Sequence, residues 1–209
     1  MTGEDKGCCI LLFEHNGFEV FWDGGASIRV RDREFTVAVD PGPDSPIFEA
    51  GIVLITGEYP HYNYEALKKV VGRGTCVVVP ESLNDKEIPC HDVEYVDRGE
   101  ALDIFGVEIE TLGEPEGGLS YRFDMQGTSF YASGNSGYRE EVIQLENMID
   151  IAFLQASSKV TEEDVIRTAV RIKPEVVVPY LYGSNFGQGL NQDNLKADLE
   201  DRNIHCQLL

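Results

Sequence analysis

Basic residues are scarce in this chain. It has 17 lysines and arginines against 37 aspartates and glutamates, a formal net charge of −20 over 209 residues. A protein that binds a nucleic-acid backbone needs a basic surface that displaces counterions, and one that binds an anionic membrane needs the same. We therefore expect neither nucleic acid nor a membrane surface among its partners.

Long apolar runs are missing as well. No apolar segment of the sequence reaches the roughly 20 residues that a membrane helix needs, and no secretory signal is visible. The five cysteines are odd in number and scattered, which is typical of reduced thiols and not of a disulfide framework. These features predict a soluble, cytoplasmic protein.

What the chain has instead is a dispersed acidic surface. Its acidic residues run from Glu4 to Asp201 without a long block, and it has seven lysines. At 1 M salt the Debye length falls to roughly 3 Å, so the self-repulsion of such a surface is tolerated. We predict a salt-adapted, halophilic protein; an ordinary acidic protein from a mesophile is the alternative.

The order of predicted elements indicates the fold class. Strand-like runs fill the first forty residues, where Ile28 and Val30 alternate with arginines and Asn16-Gly17 predicts a hairpin turn. Strands then alternate with helices, and no linker divides the chain. We predict one α/β domain over residues 1–209, a four-layer αββα sandwich of two mixed β-sheets flanked by helices. Its helices are predicted at residues 64–71, 139–147, 161–171 and 192–202.

Local patterns mark several of these elements. Thr161, with Asp164 three residues on, predicts the cap of the third helix, and Val165, Ile166, Ala169 and Val170 predict its buried face. Strands are predicted at residues 10–14, 18–23, 27–31, 34–40, 52–55, 76–79, 93–96, 101–104, 107–111, 119–125, 128–132, 151–155, 176–179 and 204–208.

Four stretches, taken in order, resemble a known family. They are Trp22-Asp23-Gly24-Gly25-Ala26-Ser27, the Asp40-Pro41-Gly42 turn, Ser133-Gly134-Asn135-Ser136-Gly137 and Val178-Pro179-Tyr180-Leu181-Tyr182. The chain resembles the metallo-β-lactamase fold superfamily, above all its ascorbate-lactonase-like or metal-dependent hydrolase branch. In that family a strand ending in Thr feeds a loop Thr-His-x-His-x-Asp-His, which corresponds here to Thr56 and the residues after it.

The positions that the resemblance assigns to metal ligands carry other residues. They are Gly57, Tyr59, His61 and Tyr62 in the loop at residues 56–63, Asn135 for a bridging Asp, and Leu181 for a late His. Another family histidine has no counterpart, because none lies between His91 and His205. Glycine and leucine offer no ligand atom, and neutral phenol and amide groups replace imidazole and carboxylate poorly. We predict no metal, no cofactor and no catalytic residue.

The same positions define a candidate vestigial pocket. Its predicted members are Gly57, Glu58, Tyr59, His61, Tyr62, Asn135, Tyr180, Leu181 and Tyr182. Tyrosines there would bind a small polar or aromatic ligand by stacking and hydrogen bonding. Alternatively, they fill the volume that metals and water occupy in the family. His61 has the same two interpretations, as a ligand-binding imidazole or as a hydrogen-bonded loop residue.

Other clusters give weaker signals. Cys90-His91-Asp92 is a poor chelate, because consecutive residues in an extended chain point in opposite directions. Ser133 and Ser136 lie in a Gly-rich loop that forms either an anion cradle or a strand-to-helix turn. The Gly-rich stretch at residues 183–189 lacks the lysine of a phosphate loop.

These observations predict a catalytically inactive, metal-free protein of the metallo-β-lactamase fold. Its expected role is ligand binding, regulation or scaffolding, with homo-oligomerisation as one form of association. The alternative is a hydrolase of the same superfamily with a rebuilt or non-metal active site. A third class is a structural subunit of a larger assembly.

Overall fold

The computed structural model of the protein describes residues 9–58, 61–114, 118–157, 160–180 and 192–209. These ranges contain fourteen strands, three α-helices and two short 3-10 helices. The chain divides into two compact units. The first unit runs to Val79 and includes Leu83–Tyr95, and the second comprises Pro80–Ser82 and Val96–Leu209.

The first unit is built on a seven-stranded mixed sheet in which strand order follows chain order. Its strands are β1 (Ile10–His15), β2 (Phe18–Trp22), β3 (Ile28–Arg31), β4 (Thr36–Val39), β5 (Ile52–Leu54), β6 (Cys76–Pro80) and β7 (Asp92–Val96). Strands β1 to β4 pair antiparallel, whereas β4, β5 and β6 are parallel. Helix α1 (Tyr64–Val70) connects β5 to β6, and a 3-10 helix (Glu81–Leu83) follows β6. Parallel pairing requires such a crossover, which is why the helix falls here.

The first hairpin forms as the sequence predicts. Asn16 and Gly17 both have positive φ angles, +50° and +86°, as a type I′ turn requires. At the far end of β2 lies Trp22, the single tryptophan of the chain. Its indole Nε1–H donates to the carbonyl oxygen of Gly25 at 3.0 Å and fixes the turn into β3.

Arg29 is buried within β3, although it alternates with apolar residues as a surface arginine would. It is 5% exposed, and its Nε and one terminal nitrogen donate to both carboxylate oxygens of Asp23 at 2.9 Å. Its guanidinium also lies 4.1 Å from the ring centroid of Phe21 and 4.7 Å from that of Phe48. The ion pair and the two rings satisfy the buried charge, which would otherwise be strongly unfavourable.

Helix α1 packs on the parallel strands of its own unit. Asn63 caps the helix, its Oδ1 accepting a hydrogen bond from the backbone N–H of Ala66 at 2.9 Å. Leu67 and Val70 are fully buried in a cluster with Val53 and Ile55. Because the helix is anchored in this core, it fixes the position at which the loop at residues 56–63, which follows β5, ends.

The second unit has a seven-stranded mixed sheet in which strand order again follows chain order, from β8 to β14. Its strands are β8 (Ala101–Ile104), β9 (Val107–Glu114), β10 (Gly118–Met125), β11 (Thr128–Ala132), β12 (Ile151–Gln155), β13 (Val176–Tyr180) and β14 (His205–Cys206). Strands β8 to β11 pair antiparallel, and β11 to β14 are parallel. A 3-10 helix (Glu140–Leu145) and helices α2 (Glu162–Ile172) and α3 (Gln192–Glu200) connect the parallel strands.

Helix α2 is the best-defined helix of this unit. Thr161 and Asp164 form a reciprocal capping box at its start, as the sequence predicts. Its buried residues include Val165, Ala169 and Ile172. The expectation that Val170 is also buried is wrong, because Val170 is 43% exposed. Residues 165, 169 and 172 follow the period of one helix face, and residue 170 lies outside it.

Two further predictions need correction. The α-helix predicted at residues 139–147 is a 3-10 helix at Glu140–Leu145, whose buried residues Val142 and Leu145 are three apart, the period of a 3-10 helix. The terminal strand, predicted at residues 204–208, is restricted to His205–Cys206. Throughout the described residues, none of the helices combines the length and apolar character needed to cross a bilayer.

Candidate functional site

The loop at residues 56–63 leaves the carboxyl end of β5, where parallel sheets place their ligand sites. The backbone N–H groups of His61 and Tyr62 both donate to the carbonyl oxygen of Glu58, at 2.7 and 3.2 Å. These two bonds hold His61 and Tyr62 against Glu58, directly before the helix cap at Asn63. Tyr59, a predicted pocket residue, lies outside the described residues.

Asp40, which follows β4, organises this loop. It is fully buried, and its carboxylate accepts hydrogen bonds from the backbone N–H and the hydroxyl of Thr56, each at 2.7 Å. The Nδ1 of His61 lies 2.7 Å from the same carboxylate. Three donors thus surround one buried carboxylate and tie the ends of β4 and β5 to the loop.

One of the two nitrogens of the His61 imidazole, Nδ1, is hydrogen-bonded to Asp40. Because the Asp40 carboxylate can only accept, Nδ1 carries the proton and donates it. The side chain is 2% exposed, and its Nε2 has no hydrogen-bond partner among the described residues. A carboxylate that orients an imidazole through Nδ1 and leaves Nε2 available is the arrangement seen behind many metal-bound histidines.

Other residues of the loop are engaged elsewhere. Gly57 is buried and has no side chain. Glu58 is 68% exposed and forms an ion pair with Lys86 at 2.8 Å, and the hydrogen bond from Lys86 lowers the pKa of the Glu58 carboxyl. The hydroxyl of Tyr62 donates to the carbonyl oxygen of Glu87 at 2.5 Å, and its ring packs against the core cluster of the first unit. Among the described residues of 57–62, His61 is therefore the one with a buried ligand atom that has no hydrogen-bond partner.

In the second unit, the loop at residues 133–138 leaves the carboxyl end of β11. The backbone N–H of Ser133 donates to the carbonyl oxygen of Phe153 at 3.0 Å, and the hydroxyl of Ser133 accepts from the N–H of Gln155 at 2.9 Å. The N–H of Ser136 donates to the carbonyl of Ser133 at 3.1 Å. The serines thus shape a turn at the end of the strand, one of the two interpretations that the sequence leaves open.

Asn135, which the resemblance assigns to the family's bridging aspartate, has another amide as its hydrogen-bond partner. Its Oδ1 accepts a hydrogen bond from the Nε2 of Gln155 at 3.0 Å. Gln155 ends β12 and is 2% exposed. Sequence reasoning missed Gln155, because a glutamine at the end of an apolar strand carries no motif signal.

Tyr180 ends β13, opposite Gln155 in the parallel register, and is 1% exposed. It lies at the carboxyl end of its strand. The other two candidates from this segment, Leu181 and Tyr182, lie outside the described residues, as does the Gly-rich stretch at 183–189. Of the alternative cluster, Cys90 donates its thiol to the carbonyl oxygen of Thr75 at 3.1 Å, and His91 is exposed.

These donors do not fit the metal centre that the fold implies. A protein zinc site takes three or four imidazole, thiolate or carboxylate ligands. The described part of loop 56–63 supplies one imidazole nitrogen, and Asn135 supplies a neutral amide already bonded to Gln155. Glu58, the carboxylate of the loop, is paired with Lys86. No step of a metal-based reaction can be derived from this set.

The two mixed sheets of seven strands, with few helices and with polar loops at the ends of parallel strands, define an α/β protein of the metallo-β-lactamase type. The predicted fold class is thereby confirmed. Residues 19–180 match the family model described as the Beta-lactamase superfamily domain. The chain belongs to this family, because the match spans well over half of its length.

Solved structures agree on the fold. A proposed metal-dependent hydrolase from Parabacteroides distasonis is 21% identical, with a TM-score of 0.78 over 91% of this chain and 92% of that chain. A metallo hydrolase from the archaeon Ignicoccus hospitalis is 16% identical, with a TM-score of 0.74 over 92% and 94%. A diiron β-hydroxylase from Streptomyces venezuelae is 15% identical, with a TM-score of 0.71 over 94% of this chain and 53% of that chain. The chain is thus related in fold to metal-dependent hydrolases.

Proposed function

We propose that this protein is a metal-independent, non-hydrolytic member of its family that binds a small ligand. The observation that carries the proposal is the hydrogen bond between the side-chain amides of Asn135 and Gln155. The family resemblance assigns a metal-bridging carboxylate to position 135. A neutral amide supplies neither the charge nor the ligand strength that a catalytic metal needs to lower the pKa of bound water. His61 adds a single imidazole nitrogen, which by itself does not hold such a metal.

Metal analysis of the purified protein tests the proposal. The protein should contain far less than one equivalent of zinc, iron or manganese per chain, also after incubation with each metal and desalting. A metal that binds only the folded state would stabilise it, and a chelator would then lower the melting temperature. We expect no such change, because we expect no bound metal.

The His61→Ala variant is the matched control. If the wild-type protein binds a metal through the loop, His61→Ala should bind less. Near-stoichiometric metal in the wild type, lost together with a fall in melting temperature on chelation, would contradict the proposal and favour the hydrolase with a rebuilt site.

A further inference from the structure

Residues 84–88 of the first unit form a short segment that is fastened to the loop at residues 56–63. We call this segment the strap. The chain reaches the strap from the carboxyl end of β6, through a 3-10 helix, and it reaches the loop from the carboxyl end of β5. Strands β5 and β6 are parallel neighbours, and the carboxyl ends of such strands are where α/β sheets bind ligands.

Three side-chain contacts fasten the strap. The hydroxyl of Tyr62 donates to the backbone carbonyl oxygen of Glu87 at 2.5 Å, and the hydroxyl of Tyr64 donates to the carboxylate of the same residue at 3.1 Å. Lys86 forms its ion pair with Glu58 at 2.8 Å. The strap is therefore tied to both ends of the loop.

The two tyrosine hydroxyls remain donors at neutral pH. Burial, and after it the nearby Glu87 carboxylate, raises the pKa of Tyr62. The hydrogen bond to the Glu87 carboxylate raises the pKa of Tyr64. Both phenols therefore stay protonated, and neither hydrogen bond is lost through ionisation of its donor.

The strap itself lies at the surface. Asn84, Asp85 and Glu87 are exposed, and an ion pair as exposed as the one with Glu58 contributes little to stability. Ile88, by contrast, packs against the core cluster of the first unit. Segments held by a few exposed contacts open locally while the rest of the protein stays folded. The strap is therefore suited to open about its anchored end at Ile88.

His61 lies between the two fastened ends of the loop. Its side chain is 2% exposed, and its Nε2 is buried without a hydrogen-bond partner among the described residues. The hydrogen bond between its Nδ1 and Asp40 does not involve the strap, so release of the strap would leave the imidazole oriented.

We propose that the strap is a lid on the carboxyl end of β5, and that its release exposes His61 to solvent. The inference concerns a local motion of the folded protein and goes beyond the proposed function. Neither measurement that tests it needs a metal or a ligand, so its outcome is independent of metal content.

Hydrogen exchange followed by NMR tests the opening. The variant Tyr62→Phe/Tyr64→Phe removes both hydroxyls and keeps both rings. In this double variant the backbone amides of His61 and Lys86, each hydrogen-bonded in the closed form, should exchange at least about fivefold faster than in the wild type. Amides of helix α2 should be unaffected. Tyr95→Phe, at a 37% exposed position on β7, is the matched control and should change neither amide.

Acylation by diethyl pyrocarbonate tests the consequence for the imidazole. This reagent modifies neutral histidine side chains that solvent can reach, and mass spectrometry locates the product. His61 should be acylated at least about fivefold faster in the double variant than in the wild type, because the closed form is populated less. His205, which is exposed in the second unit, should react at the same rate in both proteins.

Unchanged exchange of the Lys86 amide in the double variant would overturn the inference, because the hydroxyls would then not hold the strap. Faster exchange with unchanged acylation of His61 would overturn it as well, since the strap would open without exposing the imidazole. A rise in exchange that extends to helix α2 would show global destabilisation and contradict a lid. If the double variant fails to fold, Tyr64→Phe alone serves instead, with an increase in both rates of at least about twofold.

Discussion

At the scale of single residues, Asp40 shows what the sequence can and cannot predict. The Asp-Pro turn is recognisable, and so is His61 in the loop after β5. Their contact is not, because 21 positions separate them and no local pattern encodes a bond from Nδ1 to a carboxylate. Sequence reasoning therefore leaves His61 open between two interpretations, and the structure identifies it as a buried residue held by Asp40.

Asp40→Asn should destabilise the protein by about 2–3 kcal/mol, because an amide N–H would then face one of the donors on Thr56 or His61. Asn tolerates the positive φ of +46° at this position, so the change isolates the hydrogen bonds. Urea unfolding measures the effect. Asp44→Asn, at an exposed position nearby, should stay within about 0.5 kcal/mol. Equal stability of the two variants would show that the network contributes little.

Arg29 and Arg31 lie two residues apart on β3 in opposite environments. Arg29→Lys should cost about 2 kcal/mol, because an ammonium cannot reproduce the two-pronged contact with Asp23 between aromatic rings. Arg31→Lys should cost less than about 0.5 kcal/mol, since its pair with Glu19 is 44% and 33% exposed. Denaturant unfolding of both variants checks this, and similar losses would contradict the role assigned to burial.

At the scale of elements, the sequence predicts strands better than helices. Most strands are bounded by turn residues and made of β-branched or aromatic residues, so their positions are confirmed to within a few residues. The prediction of an α-helix at residues 139–147 is wrong because the spacing of its apolar residues is ambiguous. Val142 and Leu145 are three positions apart, which fits both the period of 3.0 of a 3-10 helix and the period of 3.6 of an α-helix. Helix α2 succeeds because its capping box marks where it begins.

Thr161→Ala should therefore destabilise the protein by about 1 kcal/mol, by leaving the N–H of Asp164 without its acceptor. Thr161→Ser keeps the oxygen and should lie within about 0.3 kcal/mol of the wild type. Urea unfolding of the three proteins measures the cap. If Ser is as costly as Ala, the stabilisation comes from the methyl group of Thr161 and not from its hydroxyl.

At the scale of the whole molecule, the net charge of −20 dominates. Raising KCl from 0.1 to 1 M shortens the Debye length from roughly 10 to 3 Å and screens repulsion among the carboxylates. The melting temperature should rise across this range, and NaCl of equal ionic strength should act alike. A flat or falling melting temperature would contradict the predicted salt adaptation. So would a difference in melting temperature between KCl and NaCl that is as large as the rise produced by KCl.

The position of Trp22 provides a way to follow one unit alone. As the single tryptophan, hydrogen-bonded to Gly25 within the first unit, it makes intrinsic fluorescence a local reporter, whereas far-ultraviolet circular dichroism records both units. If residues 1–209 are one cooperative domain, the two signals should trace a single unfolding curve. Fluorescence that changes at a different urea concentration would show that the units unfold separately. The same indole could then time which unit folds first.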